Sequence, residues 1–169
     1  MMTPSSCNVL IVDDCPENMV AIDAVLSVLP GINLVHALGG EEALACVLKQ
    51  RFAVMLLDVN MPDMDGYQVA RFVSGSPRTK YLPIIMVTAN NHSESQLLEA
   101  YESGAVDYIV KPFQTEILLN KVKQFIELFN AHEKASQSLL EAASLRKEKD
   151  IILNAAGEGI VKLDRRGFI

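Results

Sequence analysis

Five side chains able to do chemistry each close a short apolar run of this sequence. Asp13 and Asp14 follow Val9–Val12, Asp58 follows Ala53–Leu57, Thr88 follows Pro83–Val87, and Lys111 follows Val106–Val110. Apolar runs without polar alternation suit strands buried on both faces, as in a parallel sheet covered by helices. The carboxyl ends of such strands share one edge, the crevice where open α/β sheets place ligands. Three carboxylates gathered there repel unless neutralised, and a hard cation with oxygen ligands does that, Mg²⁺ being the natural choice. Because Mg²⁺ keeps several waters and is held by one or two carboxylates plus phosphate oxygens, the site is suited to a phosphoryl donor. Asp58 could then attack phosphorus and hold an acyl phosphate. Lys111 could neutralise equatorial oxygens and Thr88 could donate a hydrogen bond to one. Singly each residue is weak evidence, since a strand-end Thr is usually a turn residue and a Lys before Pro usually faces solvent. Five at corresponding strand ends form a constellation.

The elements that must position these residues alternate along the chain. Val9 to Val12 is a first strand. Pro16 at a first helical position, Glu17 in the first turn, and the spacing of Met19, Ile22, Leu26 and Leu29 carry a helix to Pro30-Gly31. Ile32 to His36 is a second strand, and Glu41 to about Gln50 a helix with Ala43, Leu44, Val47 and Leu48 on one face. After the strand that ends in Asp58, the Pro- and Gly-bearing segment Met61–Gly66 leaves the sheet through a structured loop. Tyr67 to Ser74 is a short helix, and Pro83 to Val87 the fourth strand. Ser93 opens a helix that stops at Gly104, and Val106 to Val110 is the fifth strand. This alternation predicts α/β architecture, a doubly wound five-stranded parallel sheet.

The 169 residues allow one ordinary domain plus something smaller, and a 50% hydrophobic content supplies a core. A net charge of −6 without a Lys/Arg block argues against a nucleic-acid surface. Cys7, Cys15 and Cys46 have neither paired nor metal-ligand spacing, which fits reduced thiols in a cytoplasmic protein. Cys15, beside the acidic pair, reads either as an exposed reactive thiol or, preferably, as a plain loop residue. No apolar segment approaches a membrane span, and the N-terminus lacks a signal pattern, with residues 1–7 forming a disordered lead-in. His36 and His92 lie apart and suggest no metal site, and no Gly-rich phosphate loop occurs.

From Thr115 no Pro or Gly appears until Gly157, so one helix is expected, about 60 Å long if continuous over roughly 40 residues. Ile117, Leu118, Val122, Phe125, Ile126, Leu128 and Phe129 make a broad face that suits a sheet. Ala135, Leu139, Ala142, Leu145 and Ile152 make a narrower stripe suited to a two-helix seam, with His132 and Lys149 near seam positions; a single solvated helix is the plainer reading. Asn154–Gly157 is expected to end this helix, with Ile160 to Leu163 a strand and Asp164–Gly167 a hairpin turn. A two-strand stub is unstable alone, so the sequence reads as cut inside a second domain.

Ile-Val-Asp-Asp, Leu-Leu-Asp-Val-Asn-Met-Pro-Asp-Met-Asp-Gly, Met-Val-Thr-Ala and Val-Lys-Pro-Phe, in this order and spacing, closely resemble the receiver domain of bacterial two-component response regulators, the flavodoxin-like receiver fold, over residues 8–130. The resemblance implies that Asp58 accepts a phosphoryl group from a histidine kinase or phosphotransfer protein. It implies that Asp13, Asp14, Asp58 and the Asn60 backbone carbonyl hold Mg²⁺, and that Thr88 and Lys111 bind the phosphoryl oxygens. Thr88 and Tyr108 would form the switch, the Lys111–Pro112 bond would be cis, and Asn60 and Asn90 would tune hydrolysis. Without the resemblance Tyr108 reads as a half-buried aromatic with a wet hydroxyl. The segment Ile152–Ile169 resembles the opening of a PAS sensor domain, which divides the rest into a helical linker at 131–153, read as a coiled coil, and a PAS-like start at 154–169. That arrangement implies a homodimer in which the long helix relays a change to downstream modules.

Two rivals compete. A haloacid-dehalogenase-type phosphatase also uses an aspartyl nucleophile and Mg²⁺ but needs a second Asp two residues on, where Asn60 stands. A non-phosphorylated pseudo-receiver acting as a dimerisation module typically loses one of the five site residues, and none is missing. His132 lacks the Pro and basic residue that follow a kinase's phosphorylatable histidine and reads as a helix-surface or seam residue.

Overall fold

The structure, a computed structural model, describes residues 6–89 and 93–165, with side chains to 157. The expectations for Asn90 and His92, and the turn from Arg166 onward, lie outside the described residues. The chain divides into two compact units, Met1–Phe129 and Asn130–Ile169.

The first unit holds β1 (Cys7–Val12), α1 (Pro16–Leu26), β2 (Ile32–Ala37), α2 (Gly40–Lys49), β3 (Val54–Asp58), α3 (Gly66–Gly75), β4 (Ile84–Thr88), α4 (Glu94–Glu102), β5 (Asp107–Val110) and the start of α5 (Thr115–Arg165). The five strands are all parallel, in the order β2-β1-β3-β4-β5. The doubly wound parallel sheet expected from the alternation, and the flavodoxin-like fold implied by the resemblance, are therefore present.

Alternation along each strand sorts the apolar residues onto two faces. Leu10, Val12, Met55, Leu57, Ile84 and Met86 point to one core, which Ala43 of α2, Val69, Ala70 and Val73 of α3, and Ala100 of α4 close. Val9, Ile11, Val54, Leu56, Ile85 and Val87 point to the other, closed by Met19, Ile22 and Leu26 of α1 and Leu118, Val122 and Ile126 of α5. Strands β3 and β4 are buried along their whole length, which is why their sequences show no polar alternation. The edge strand β2 is half-buried or exposed along its length until the buried Ala37.

Local signals fix the helix ends. Pro16 occupies the first turn of α1. Asp65 caps α3 reciprocally with Gln68: the Gln68 N–H donates to Asp65 Oδ1 at 2.8 Å, and the Asp65 N–H donates to Gln68 Oε1 at 3.1 Å. Gly104, at φ 107°, ends α4 in a conformation open to glycine, its N–H donating to the Tyr101 carbonyl.

Two expectations are corrected. Cys7 does not belong to a disordered lead-in. It is the buried first residue of β1, and its N–H donates to the Gly31 carbonyl at 3.0 Å. At the other end, Ile160–Leu163 is helical, because α5 runs through Asn154–Gly157 to Arg165. Gly157 and Gly159 each cost the helix only about 1 kcal/mol, whereas a short strand without a neighbour leaves its backbone groups unpaired. The strand expected at Ile160–Leu163 is thus absent among the described residues. No described helix is long and apolar enough to cross a membrane.

Candidate functional site

The parallel strands bring the five chemical residues to one rim. Asp13 follows β1 and is tied to the end of β2 by its N–H donating to the Ala37 carbonyl. Asp58 ends β3 and Thr88 ends β4, in register with Val110, so Lys111 emerges directly alongside. The Lys111 N–H donates to the Thr88 carbonyl at 2.7 Å, and the Lys111–Pro112 peptide bond is cis.

The side chains converge as this backbone directs. Lys111 Nζ donates to Asp58 Oδ1 at 2.8 Å and to Asp13 Oδ2 at 3.0 Å. Asp13, Asp58 and Thr88 are buried, while Asp14 is exposed. Carboxylate oxygens of Asp13, Asp14 and Asp58 lie within 4.8 Å of one another. Such a set of hard, negatively charged acceptors, open to solvent on the Asp14 side, fits a divalent cation such as Mg²⁺.

The electrostatics follow from burial and neighbours. Desolvation pushes the Asp58 carboxyl above its ordinary range, the hydrogen bond and charge of Lys111 pull it back, and Asp13 and Asp14 push it up again. Burial works against the Lys111 ammonium, but the hydrogen bonds and charges of Asp58 and Asp13 together outweigh it and hold Lys111 above the ordinary range.

Sequence reasoning missed two supporting residues. Asn18, one turn into α1, donates through Nδ2 to both Asp13 oxygens at 3.1 and 3.0 Å, and the Cys15 N–H donates to Asp13 Oδ1 at 2.9 Å. Asp13 is thus oriented by the start of α1, a role that only its five-residue spacing to Asn18 could have suggested. Gly66, read as a turn residue, packs against the backbone of β3's end, where a Cβ would lie 2.4 Å from the Asp58 carbonyl oxygen.

Other expected residues stand nearby without joining the cluster. Asn60 is exposed, two residues past Asp58 in the loop before α3. Cys15 is half-buried at the start of α1, and its thiol donates to Glu17 Oε2 of the first turn at 3.0 Å. Tyr108 is half-buried, its ring edge-to-face with Tyr101 at a centroid distance of 6.3 Å. It lines a cleft of about 550 Å³ with Tyr101, Pro112, Phe113, Ile117 and Lys121, a lining that does not include Asp13, Asp14 or Asp58. His36, read as isolated, stands 2.8 Å from Asp23 of α1.

Residues 9–123 match the family model described as the response regulator receiver domain. The chain is 35% identical to the chemotaxis protein CheY of Pseudomonas aeruginosa over 122 residues, 72% of this chain and 98% of that protein. It is 32% identical to the response regulator PleD of Caulobacter vibrioides over 118 residues, 70% of this chain but only 26% of that protein, so it spans about a quarter of PleD's length. A receiver domain of a sensor histidine kinase from Pseudomonas aeruginosa, solved with a magnesium ion coordinated in its active-site cleft, is similar in structure. That similarity has a TM-score of 0.65 and 29% identity, and covers 72% of this chain and 98% of that one. With the match spanning most of its residues and nearly all of CheY, the chain belongs to the response regulator receiver domain family.

Proposed function

We propose that the first unit is a phosphoacceptor signal receiver, in which Asp58 takes a phosphoryl group from a histidine kinase or a histidine phosphotransfer protein. The observation that carries this reading is the Lys111 ammonium bridging Asp58 and Asp13 beside a third carboxylate. Asp13, Asp14 and Asp58, with the Asn60 carbonyl, would hold Mg²⁺. The bound ion supplies the positive charge that lets an anionic carboxylate meet an anionic phosphoryl group.

The chain's own residues do the rest. One Asp58 oxygen bonds to phosphorus as the bond to the donor's histidine nitrogen breaks. The electron pair leaves on the imidazole, and an acyl phosphate remains on Asp58. Lys111 holds the acceptor in place through Oδ1 and meets the charge on the transferring oxygens, and the Thr88 hydroxyl donates to one of them. Thr88 and Tyr108 form the switch in this reading, and α5 carries the change onward to downstream domains. The module's only chemistry is gain and loss of its own phosphoryl group.

Asn60 stands where a haloacid-dehalogenase-type phosphatase needs its general acid, which disfavours that alternative. The pseudo-receiver alternative makes a different prediction from the proposal. The protein, incubated with acetyl phosphate and Mg²⁺, is expected to gain the mass of one phosphoryl group, and an Asp58→Ala variant is expected to gain none. Equal labelling of both, or of neither, would overturn the assignment of Asp58.

A further inference from the structure

Within the second unit, every residue of the helix from Gln137 to Gly157 is exposed. Leu139 is 72% exposed, Leu145 66% and Ile152 60%. Helices in water draw most of their stability from burying such a face.

The sequence of this helix specifies what can cover it. Ala135, Ala142, Leu145, Lys149, Ile152 and Ala156 are spaced by seven residues and then by three and four alternately. On a helix these are heptad positions a, a, d, a, d and a, one continuous seam, with Ser138 at the remaining d position. Leu139 and Leu153, at e, widen the seam on one side. Glu141 and Glu148 fall at g, and Arg146 at e.

These flanking charges choose both the partner and its direction. Side by side and in register, position g of one copy faces the next e of the other, so Glu141 meets Arg146 of a second copy, twice by symmetry. Lys149, in the seam, then faces Lys149 of the second copy, with Glu148 of that copy flanking the pair and offsetting part of the repulsion. With the copies antiparallel, g faces g, and Glu141 would stand against Glu148. Opposite charges attract in the first arrangement, and like charges repel in the second.

We propose that residues 135–156 pair with the same segment of a second copy as a parallel, in-register, two-stranded coiled coil, fixed by the Glu141–Arg146 pairs and by Lys149 in the seam. A single cationic seam residue of this kind sets register and strand number at some cost in stability. Its role as a relay rests on the receiver reading above, whereas the pairing itself needs no phosphoryl chemistry.

The test uses the full chain. Sedimentation equilibrium is expected to give about twice the 18.6 kDa of one chain. With Cys15 and Cys46 replaced by Ser, Leu145→Cys and Ile152→Cys are each expected to form an interchain disulfide on mild oxidation, and Leu140→Cys, on the opposite face, is not. Glu141→Arg or Arg146→Glu alone is expected to raise the dissociation constant by about threefold to tenfold, and the two together to restore it. A one-chain mass, Leu140→Cys cross-linking as readily as Leu145→Cys, unchanged affinity in both single variants, or tighter association of Glu141→Arg would each overturn the proposal. Phosphoryl uptake from acetyl phosphate, measured on the same variants, reports on Asp58 separately, so failure of the pairing and failure of the receiver reading are told apart.

Discussion

Gly66 lies so close to Asp58 that a Cβ on it would come within 2.4 Å of the Asp58 carbonyl oxygen and 2.9 Å of Val59 Cα. The Gly66 N–H also donates to the Val59 carbonyl at 3.0 Å. The start of α3 is thereby pressed against the strand end that carries the proposed nucleophile. Neither contact ends in a flexible side chain, so backbone must move to admit a methyl group.

Gly66→Ala is therefore expected to destabilise the fold by about 1–3 kcal/mol, the usual range for overpacking. Urea denaturation checks this, through a lower midpoint at unchanged slope. Because the displaced backbone is that of Asp58 and Val59, phosphoryl uptake should slow as well. A variant with the wild-type midpoint would show that the loop yields freely.

Lys111 is the cation that joins Asp58 to Asp13, at 2.8 and 3.0 Å. Truncation to Ala removes both the acceptor's anchor and a preorganised charge facing the transferring oxygens. Loss of one such donor slows comparable reactions by about 10²–10³-fold. Uptake from acetyl phosphate, followed by mass spectrometry, is expected to fall by at least about 10²-fold in Lys111→Ala, with Lys111→Arg intermediate because it keeps the charge but replaces the compact ammonium by a longer planar guanidinium. Undiminished uptake in Lys111→Ala would remove Lys111 from the reaction.

Much of this arrangement was legible in the sequence because a buried parallel strand is a plain signal. Val54–Leu57 and Ile84–Val87 are uninterrupted apolar runs, so the polar residue that ends each one stands out, and parallel pairing puts those ends together. Asn18 and Gly66 gave no such signal. Asn18 is an ordinary polar residue on a helix until the chain folds back over Asp13. Gly66 looks like any turn glycine, since its close approach exists only in three dimensions. At Ile160–Leu163 a short run of three apolar residues around Lys162 is ambiguous between strand and helix, and the helix that already ran through Gly157 decided it.

Three carboxylates within 4.8 Å also set an expectation for metal. A ligand that binds only the folded chain stabilises it by about 2.7 kcal/mol at a hundredfold excess over its dissociation constant. Melting of the wild-type protein is therefore expected to shift upward with added MgCl₂ and to return with EDTA. Asp13→Asn should lose most of that shift relative to its own metal-free baseline. An equal magnesium shift in the variant would mean that the ion binds elsewhere.

Cys7 offers a test of how tightly the first strand is closed. It is 3% exposed, and burial raises its thiol above the ordinary range. The reactive form is the thiolate, so a raised value means less of it at any pH below that value, and slower alkylation. Cys46 is raised as well, by burial and then by the Glu42 charge, with Lys49 pulling the other way, but it is only half-buried. In the native protein at about pH 8, where an ordinary thiol is near its midpoint, iodoacetamide is expected to modify Cys46 well before Cys7. Access to Cys7 requires opening of β1, which is paired on both sides with β2 and β3, so its rate should fall at least about 10²-fold below that in the denatured chain. Peptide mapping over time, with and without urea, measures both rates. Cys7 alkylated as fast as Cys46 in the native protein would mean that the N-terminal end of β1 opens freely.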